Sequence, residues 1–139
     1  MKLSLAFTPG VITAPPEAPL GLVGALLRDH NIGAVVIAED RRSVGIITDR
    51  DLALALGANG HSLHTAARDV MSRPVLAIPD GTDVGIATQY MLDRRVRRLP
   101  VVDAEDRLVG MVTLDDLPVV LGRELANLAD SIRDEVHVR

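Results

Sequence analysis

The chain has 139 residues, of which 47% are apolar and 24% charged, and its formal net charge is −4; this is the composition of one compact globular unit and is too apolar for a disordered chain. It has no Cys and no Trp, and Phe7 and Tyr90 are its two aromatic residues, which excludes cysteine chemistry, aromatic cages and almost all base-stacking platforms. The acidic balance argues against a nucleic-acid partner, and no apolar run approaches the ~20 residues that cross a bilayer, so we expect a cytoplasmic protein without a membrane partner.

The first half of the chain predicts the order strand, helix, strand, strand, helix. Apolar residues recur at helical spacing after an initial strand, and two stretches rich in Val and Ile flank a polar turn. The predicted elements are a strand at 11–14, a helix carrying Leu20, Val23, Leu26 and Leu27, strands at 34–38 and 44–48, and a helix that begins at Asp49.

The second half predicts the same order and then a long amphipathic segment. A short turn of helix is expected at 66–71. The further predicted elements are a strand at 75–78, a helix carrying Val84, Ala87, Tyr90 and Met91 with Thr82 as its N-cap, strands at 99–102 and 109–113, and a helix that begins at Leu114. Leu121, Leu125, Leu128, Ile132 and Val136 mark an amphipathic C-terminal helix, which Pro118 is expected to kink.

The two halves are copies of one unit. Segment 45–51, GIITDRD, aligns with 110–116, GMVTLDD, at an offset of 65, and 11–15 aligns with 75–79 at an offset of 64. We therefore predict an α/β (α+β) fold in which the copies pack on each other, because one copy alone buries little core. The predicted boundaries are a first repeat at 8–58, a linker at 59–72, a second repeat at 73–121, and a C-terminal helix and tail at 122–139.

Each repeat carries the pattern Gly-x-x-Thr-x-x-Asp where a strand ends and a helix begins. The motif residues are Gly45, Thr48 and Asp51 in the first repeat and Gly110, Thr113 and Asp116 in the second. Thr-x-x-Asp forms a capping box, which satisfies free amides at a helix N-terminus. The same arrangement suits a nucleotide, because the helix dipole favours phosphate, a carboxylate accepts hydrogen bonds from ribose hydroxyls, and glycine permits close approach. Both interpretations stay open.

The doubled motif resembles the ligand motif of cystathionine-β-synthase (CBS) domains, which occur in tandem as Bateman modules. Two further segments also resemble this family, RLPVVD at 98–103 and DVMSRPV at 69–75. The resemblance covers roughly 8–121 and leaves out the C-terminal helix. It implies two repeats packed with pseudo-twofold symmetry and two clefts between them.

The resemblance also implies the ligand and the residues that bind it. The implied ligands are adenosyl compounds such as AMP, ADP, ATP or S-adenosylmethionine, with no cofactor required. Asp51 and Asp116 would hold ribose hydroxyls, and Thr48 and Thr113 would contact phosphate. The aliphatic walls of the base pocket would be Ile12, Thr13, Ala34 and Val35 in the first site, and Leu76, Ala77, Leu99 and Pro100 in the second. Since Arg98 and Pro100 lack counterparts in the first repeat, we expect the two sites to bind unequally.

The function that the resemblance implies is a non-enzymatic regulatory module. Ligand binding between the repeats would signal to an unidentified effector protein or within a homodimer, which the family commonly forms through its helices. Small residues in the helices, such as Gly21, Gly24 and Gly85, are consistent with a close helix contact between copies or subunits. The alternative is a ligand-independent structural or adaptor homodimer in which each motif only caps a helix.

Other clusters have competing interpretations. The basic residues at 94–98 predict a solvated helix end, a contact from Arg98 or a neighbour to ligand phosphate, or, least favoured, a nucleic-acid patch. His61 and His64 with nearby Asp69 could ligate a metal, but their loop surroundings argue against a metal site. The adjacent Asp115 and Asp116 lack a nucleophile or base, so no catalytic set is expected.

Overall fold

The computed structural model describes residues 8–73, 77–115 and 117–138. Its elements follow the predicted order in both halves, with a further strand at the start and one long helix at the end. In chain order they are β1 (Thr8–Pro9), β2 (Thr13–Ala14), α1 (Leu20–His30), β3 (Ala34–Glu39), β4 (Arg42–Thr48), α2 (Asp49–Gly57), a 3-10 turn (Ala67–Asp69), β5 (Ile78–Pro79), α3 (Val84–Arg94), β6 (Arg98–Val102), β7 (Leu108–Thr113) and α4 (Leu117–Val138).

The strands form two sheets that match the two repeats except at one edge. One sheet has the order β2-β3-β4 and the other β1-β7-β6-β5. β1 therefore belongs to the sheet of the second repeat, where Thr8 pairs with Met111 and Pro9 with Gly110 in antiparallel register. No sequence pattern predicted this exchange. It joins the start of the chain to the second repeat.

The remaining pairings are equivalent in the two sheets. β2 pairs in parallel with β3, as β5 does with β6, and each central strand then pairs with an antiparallel neighbour. Ala34 lies opposite Thr48 in the first sheet, and Arg98 lies opposite Thr113 in the second. Both hairpins shift register shortly before their turns, between Ile37 and Ala38 and between Val101 and Val102. These correspondences confirm the predicted α/β fold built from two copies.

Each repeat has a core between its sheet and its helices. The helical spacing correctly predicts the buried faces of α1 and α3, and alternate residues of β3 and β6 complete the cores. The first core includes Leu20, Val23, Val35, Ile37, Ile47 and Ala55. The second includes Val84, Ala87, Met91, Leu99, Val101 and Val112.

The segment after α2 packs along the first repeat. The amide of Leu20 donates to the Thr65 carbonyl (2.9 Å), and the amide of Ala67 donates to the Ala18 carbonyl (2.8 Å). The amide of Ser72 donates to the Ile46 carbonyl of β4 (3.0 Å). The 3-10 turn at Ala67–Asp69 confirms the short helical turn expected here.

Gly21 and Gly24 of α1 face neighbours within the first repeat, and a contact of these helices between copies or subunits stays a prediction. A Cβ atom at Gly21 would lie 3.5 Å from the Leu63 carbonyl oxygen. A Cβ atom at Gly24 would lie 3.4 Å from the Leu52 side chain. Both distances are those of ordinary van der Waals contact, so the two glycines face the segment after α2, and α2 itself, within the same repeat.

Two predicted helix starts and one predicted kink were wrong. The N-cap of α3 is Asp83 and not Thr82, because the Asp83 carboxylate accepts a hydrogen bond from the Gly85 amide (2.8 Å). Leu114 lies in a turn, and the helix after β7 begins at Leu117 and continues to Val138. Pro118 therefore lies in the first turn of α4, where no intrahelical amide bond is needed, so it opens the helix and does not kink its interior.

Candidate functional site

A cavity of about 220 Å³ lies between the two repeats. It is called the inter-repeat cavity below. Residues from both repeats line it: Gly10, Val11, Ile12, Ile32, Gly33, Ala34, Arg98, Met111 and Thr113. The lining is aliphatic apart from Arg98 and Thr113, so it combines an apolar wall with a cationic and a hydroxyl group.

The exchange of β1 forms one wall of this cavity. The chain leaves the second sheet after Pro9, passes through Gly10 and enters the first sheet at Thr13. Gly10 has φ = 75°, a conformation that glycine adopts without steric cost. The Ile12 carbonyl accepts a hydrogen bond from the Val36 amide of β3 (3.3 Å), which fixes the crossing segment over the cavity.

The side chain of Arg98 reaches from the second repeat to the first. It is half-buried, and its Nη2 atom lies 2.8 Å from the position that a Cβ atom would occupy at Gly33. The guanidinium group therefore occupies the space left by the missing side chain of Gly33. The two residues form one corner of the inter-repeat cavity.

The structure groups the predicted binding residues differently from the sequence analysis. Ile12 and Ala34 were expected in one cleft and Thr113 and Arg98 in the other, but all four line the inter-repeat cavity. The four residues come together because the crossing segment and the starts of β3 and β6 meet between the sheets. Thr13 instead lines an adjoining cavity of about 390 Å³, which shares Gly10 and Val11 with the first.

Two predicted wall residues lie in the cores. Val35 and Leu99 are fully buried between sheet and helices, so their side chains lie in the cores, and their place in a base pocket stays a prediction. Side chains alternate along a strand, so Val35 points away from the face of Ala34. Pro100 is buried, and Ala77 is half-buried. Leu76 and Asp116 lie outside the described residues.

Thr48 and Asp51 form the complete capping box of α2. The Thr48 hydroxyl oxygen accepts a hydrogen bond from the Asp51 amide (3.1 Å), and Asp51 Oδ2 accepts one from the Thr48 amide (2.9 Å). The Asp49 amide donates to the Gly33 carbonyl (3.0 Å), and at the equivalent place in the second repeat the Leu114 amide donates to the Arg97 carbonyl (2.7 Å). The start of α2 is thus anchored both to its own cap and to the entry of β3.

Asp51 also lines a third cavity, of about 190 Å³, together with Asn59, His61 and Asp69. This cavity lies between α2 and the segment that follows it. In the parts of the chain that the structure describes, no group of three or more His, Cys, Asp or Glu side chains could hold a metal ion.

The two motif glycines are buried. A Cβ atom at Gly45 would overlap the side chain of Met71, whose Cγ would lie 2.6 Å away. Gly110 pairs with Pro9 on one side and with Val101 on the other. At Gly45 the missing side chain accommodates Met71, so in this arrangement the space beside it is filled by protein.

The four arginines at 94–98 have separate surroundings. Arg94 lies over the ring of Tyr90, 5.3 Å from its centroid, and Arg95 is the left-handed C-cap of α3. Arg97 forms an exposed salt bridge of 2.9 Å with Asp115. Arg98 alone of these four lines the inter-repeat cavity.

Among the described helices, none is long and apolar enough to cross a membrane.

Both repeats match one family. The family model for the CBS domain matches residues 4–58 and 67–121. Protein MK0525 of Methanopyrus kandleri is 38% identical over 109 residues, which cover 77% of this chain and 56% of that protein. The CBS domain-containing protein YhcV of Bacillus subtilis is 36% identical over 112 residues, which cover 81% of this chain and 79% of that protein.

A solved structure has the same fold. The CBS domain pair of protein MJ0100, crystallised in complex with 5′-methylthioadenosine and S-adenosyl-L-methionine, has a TM-score of 0.79 at 27% identity. The match covers 89% of this chain and 98% of that one. With two matched segments, two equivalent sheets and a cavity between them, the chain belongs to the CBS domain family and carries the domain as a tandem pair.

Proposed function

We propose that this CBS pair is a regulatory module that binds an adenosyl compound in the inter-repeat cavity and signals to a partner. The observation that carries the proposal is the cavity itself, because residues of both repeats line it. The similar CBS pair of MJ0100 was crystallised with two adenosyl compounds. The candidate ligands are AMP, ADP, ATP and S-adenosylmethionine.

The chemistry of the cavity suits such a ligand. Ile12, Ile32, Ala34 and Met111 offer an aliphatic surface for a purine, and backbone groups can recognise its polar edge. A volume of about 220 Å³ is small for a nucleotide, but the adjoining cavity of about 390 Å³ continues past Gly10 and Val11. A ligand bound at this place would contact the crossing segment directly.

Binding would couple the two repeats. A ligand that contacts β3 and β7 together favours the packing in which both contacts are made, and it shifts the population only if another packing binds it less well. Because the lining residues come from both copies, the proposed signal is a change in their relative packing. A partner protein or a second copy would detect that change. We assign the module no reaction.

A second copy of the chain is the partner for which the helices give support. Leu22 of α1 and Ile86 of α3 occupy equivalent positions and are 44% and 64% exposed. A pair of large apolar side chains related by the internal symmetry is suited to a twofold interface. We therefore propose a homodimer formed through these helices.

The capping box supports a second candidate function. Thr48 and Asp51 already satisfy each other's hydrogen bonds, as a purely structural motif requires. The chain would then be a ligand-independent adaptor dimer.

Thermal unfolding with and without ligand separates these two functions. We expect AMP, ATP or S-adenosylmethionine, at a hundred times its Kd, to stabilise the protein by about 2.7 kcal/mol and raise Tm by about 10 °C. Calorimetry is the suitable measurement, because one Tyr and no Trp give little intrinsic signal. Because the protein itself absorbs weakly in the ultraviolet, an adenosyl ligand that stays bound through purification would be visible at 260 nm. No shift with any of the compounds would favour the adaptor.

A variant with a filled cavity locates the binding site. Ala34→Leu adds bulk to the cavity wall and should abolish the ligand-induced rise in Tm. Ala53→Leu is the matched control, because Ala53 is exposed on α2 and outside the cavity lining. If Ala34→Leu kept the full rise, the ligand would bind elsewhere.

A further inference from the structure

We propose that α4 docks on α4 of a second copy, and that the two helices pack antiparallel through Leu125, Leu128 and Ile132, called the α4 stripe below. The α4 stripe lies outside the two segments that match the CBS domain, the second of which ends at residue 121. This pairing requires neither the inter-repeat cavity nor a ligand.

The α4 stripe has no cover within the described part of the chain. Residues 125–134 are all exposed, and the three side chains of the stripe are each more than half exposed. Spacings of three and four residues place them on one side of the helix. The same geometry places Arg123, Asp130 and Asp134 on the opposite side. An occupant of the stripe therefore meets an apolar surface and buries none of these charges.

The spacing of the large apolar residues is the same in both chain directions. Leu121 precedes the α4 stripe in the sequence, so these residues follow one another at intervals of four, three and four. Two antiparallel copies can therefore place Leu125 of each level with Leu128 of the other. In the same register, Ile132 of each lies level with Leu121 of the other. A surface that complements itself in this way suits a twofold contact between identical chains.

Charges and helix dipoles favour the antiparallel direction over the parallel one. Arg123 lies near the start of the exposed segment. Near its end, Asp130 and Arg133 form a salt bridge of 3.6 Å, and Asp134 adds a further negative charge. An antiparallel pair brings the basic end of one helix beside the acidic end of the other and aligns the two helix dipoles favourably, whereas a parallel pair places like ends together.

Gly122 leaves one flank of the α4 stripe open to close approach. A Cβ atom there would have no neighbour within 4 Å, and Gly122 does not have the positive φ for which glycine is needed. Glycine is unfavourable inside a helix, and no packing within the described part of the chain requires it here. In the antiparallel register Gly122 faces Ala129 of the other copy, so the helix axes can approach to about 8 Å.

The charges and the length of the stripe also define what kind of contact it makes. A helix that binds an anionic membrane carries Lys and Arg on its polar face, but two acidic residues accompany Arg123 on the polar face of α4. A second copy therefore fits better than a lipid surface. Three described apolar side chains per helix bury much less than the ~800 Å² per partner of a standard interface. We expect a weak contact that forms at protein concentrations on the order of 100 µM and not at the dilution used for light scattering.

Distances between spin labels on two copies test the pairing and its direction. The chain has no Cys, so one introduced Cys is labelled alone. Asn127→Cys and Asp134→Cys place labels at exposed positions on the same outer face of α4. In the antiparallel pair the labels at 127 lie almost level, whereas those at 134 are offset by about 22 Å along the axis. Double electron–electron resonance at on the order of 100 µM protein should therefore give a short distance at 127 and a clearly longer one at 134.

A charge placed in the stripe tests the contact without labels. Leu128→Glu should abolish the rise of the sedimentation coefficient with protein concentration, because the charge would lie in the central apolar layer. Asn127→Glu is the matched control, since it adds the same charge at the neighbouring exposed residue on the outer face and should keep the rise. Both positions are exposed, so circular dichroism should report an unchanged fold for both variants.

Each other result overturns the proposal. Equal short distances at 127 and 134 would show a parallel pair. No short distance at 127, or a rise in sedimentation that Leu128→Glu keeps, would show that the stripe does not bind a second copy. Binding to phosphatidylglycerol vesicles that Leu128→Glu abolishes, without pairing in solution, would identify a lipid contact instead. The proposed adenosyl module stands in all these cases, because the measurements contain no ligand.

Discussion

Gly45 occupies a place where the first repeat has no room for a side chain. Its missing Cβ lets Met71 pack against β4. The next residue on each side, Ile46 and Ser72, form backbone hydrogen bonds with each other. A residue expected to admit a ligand is thus needed for the attachment of the segment after α2. The repeat symmetry hides this role, because Gly110 has the same place in the motif but pairs with β1.

Gly45→Ala should therefore destabilise the protein. Overpacking of this kind costs about 1–3 kcal/mol, measurable by denaturant unfolding. Met71→Ala should reduce that cost in the double variant. Gly57→Ala is the matched control, since nothing lies within 4 Å of a Cβ atom at Gly57. Equal losses at Gly45 and Gly57 would contradict the packing argument.

Asp103 gives the second hairpin a pH-dependent contribution to stability. Backbone hydrogen bonds from the amides of Arg107 and Glu105, both 2.9 Å, and the charge of the Arg107 guanidinium hold the pKa of this carboxyl below its usual value. Because the pKa is lower in the folded chain, the stabilisation is complete above the unfolded value of about 3.9 and disappears as the pH falls through the folded pKa.

Asp103→Asn should accordingly lower Tm at pH 7, and the difference from the unsubstituted protein should shrink at pH values below about 3. Asp106→Asn is the control, because it removes the same charge from the same turn at a positive φ of 63° that Asn tolerates. A loss of Tm that stays constant down to acid pH would show that the carboxylate charge is not involved.

The spacing of residues in the sequence predicted contacts within one helical turn, but it did not predict contacts between distant parts of the chain. The capping box of Thr48 and Asp51 follows from a three-residue spacing and is present in the structure. The contact of Arg98 with Gly33 joins residues 65 positions apart, and the packing of Met71 on Gly45 joins a loop to a strand. Such contacts depend on how whole elements pack, which no local pattern encodes.

At the scale of elements, hydrophobic periodicity predicted the long strands and the helix faces. It failed for β1, which has two residues, Thr8 and Pro9, and is too short to show a period. The repeat pattern also divided α4 into two helices, because it placed the end of the second repeat at residue 121 and a separate helix after it. The kink expected at Pro118 is absent because this residue lies in the first turn. α4 leaves Leu125, Leu128 and Ile132 more than half exposed, as an apolar stripe.

Ile86→Glu on α3 should dissociate the proposed homodimer. A charge placed at the centre of an apolar twofold interface occurs twice and is desolvated, so light scattering should report the mass of a single chain. Asn127→Glu is the matched control, because it adds the same charge at an exposed polar position of α4. If the Ile86→Glu protein keeps its dimeric mass while remaining folded, α3 is not the interface.

At the scale of the whole molecule, β1 fastens the first repeat to the second. Beside this pairing, the Leu108 amide donates to the Arg41 carbonyl (2.9 Å), a bond between the two hairpins. The cavity therefore lies beneath the crossing segment, which connects β1 in one sheet to β2 in the other.

Removal of residues 1–9 should detach the crossing segment from β7. We expect faster hydrogen exchange at the amides of 109–111 and a smaller ligand-induced rise in Tm, because one edge of β7 and one cavity wall lose support. The amides of β4 provide an internal reference, since β4 pairs with β3 alone among the named strands. Equal acceleration in both sheets would indicate general destabilisation instead of a local opening.

The pairing of β1 with β7 also affects the order in which the chain folds during synthesis. Strand β7 follows β1 by roughly 100 residues. At about 5–20 residues per second, the ribosome therefore completes β7 some 5–20 s after β1. Closing so long a loop costs entropy before any contact repays it. The first repeat can therefore assemble its own sheet early, while the joint between the repeats forms last, and a ligand that recognises this joint can bind only after the second hairpin is complete.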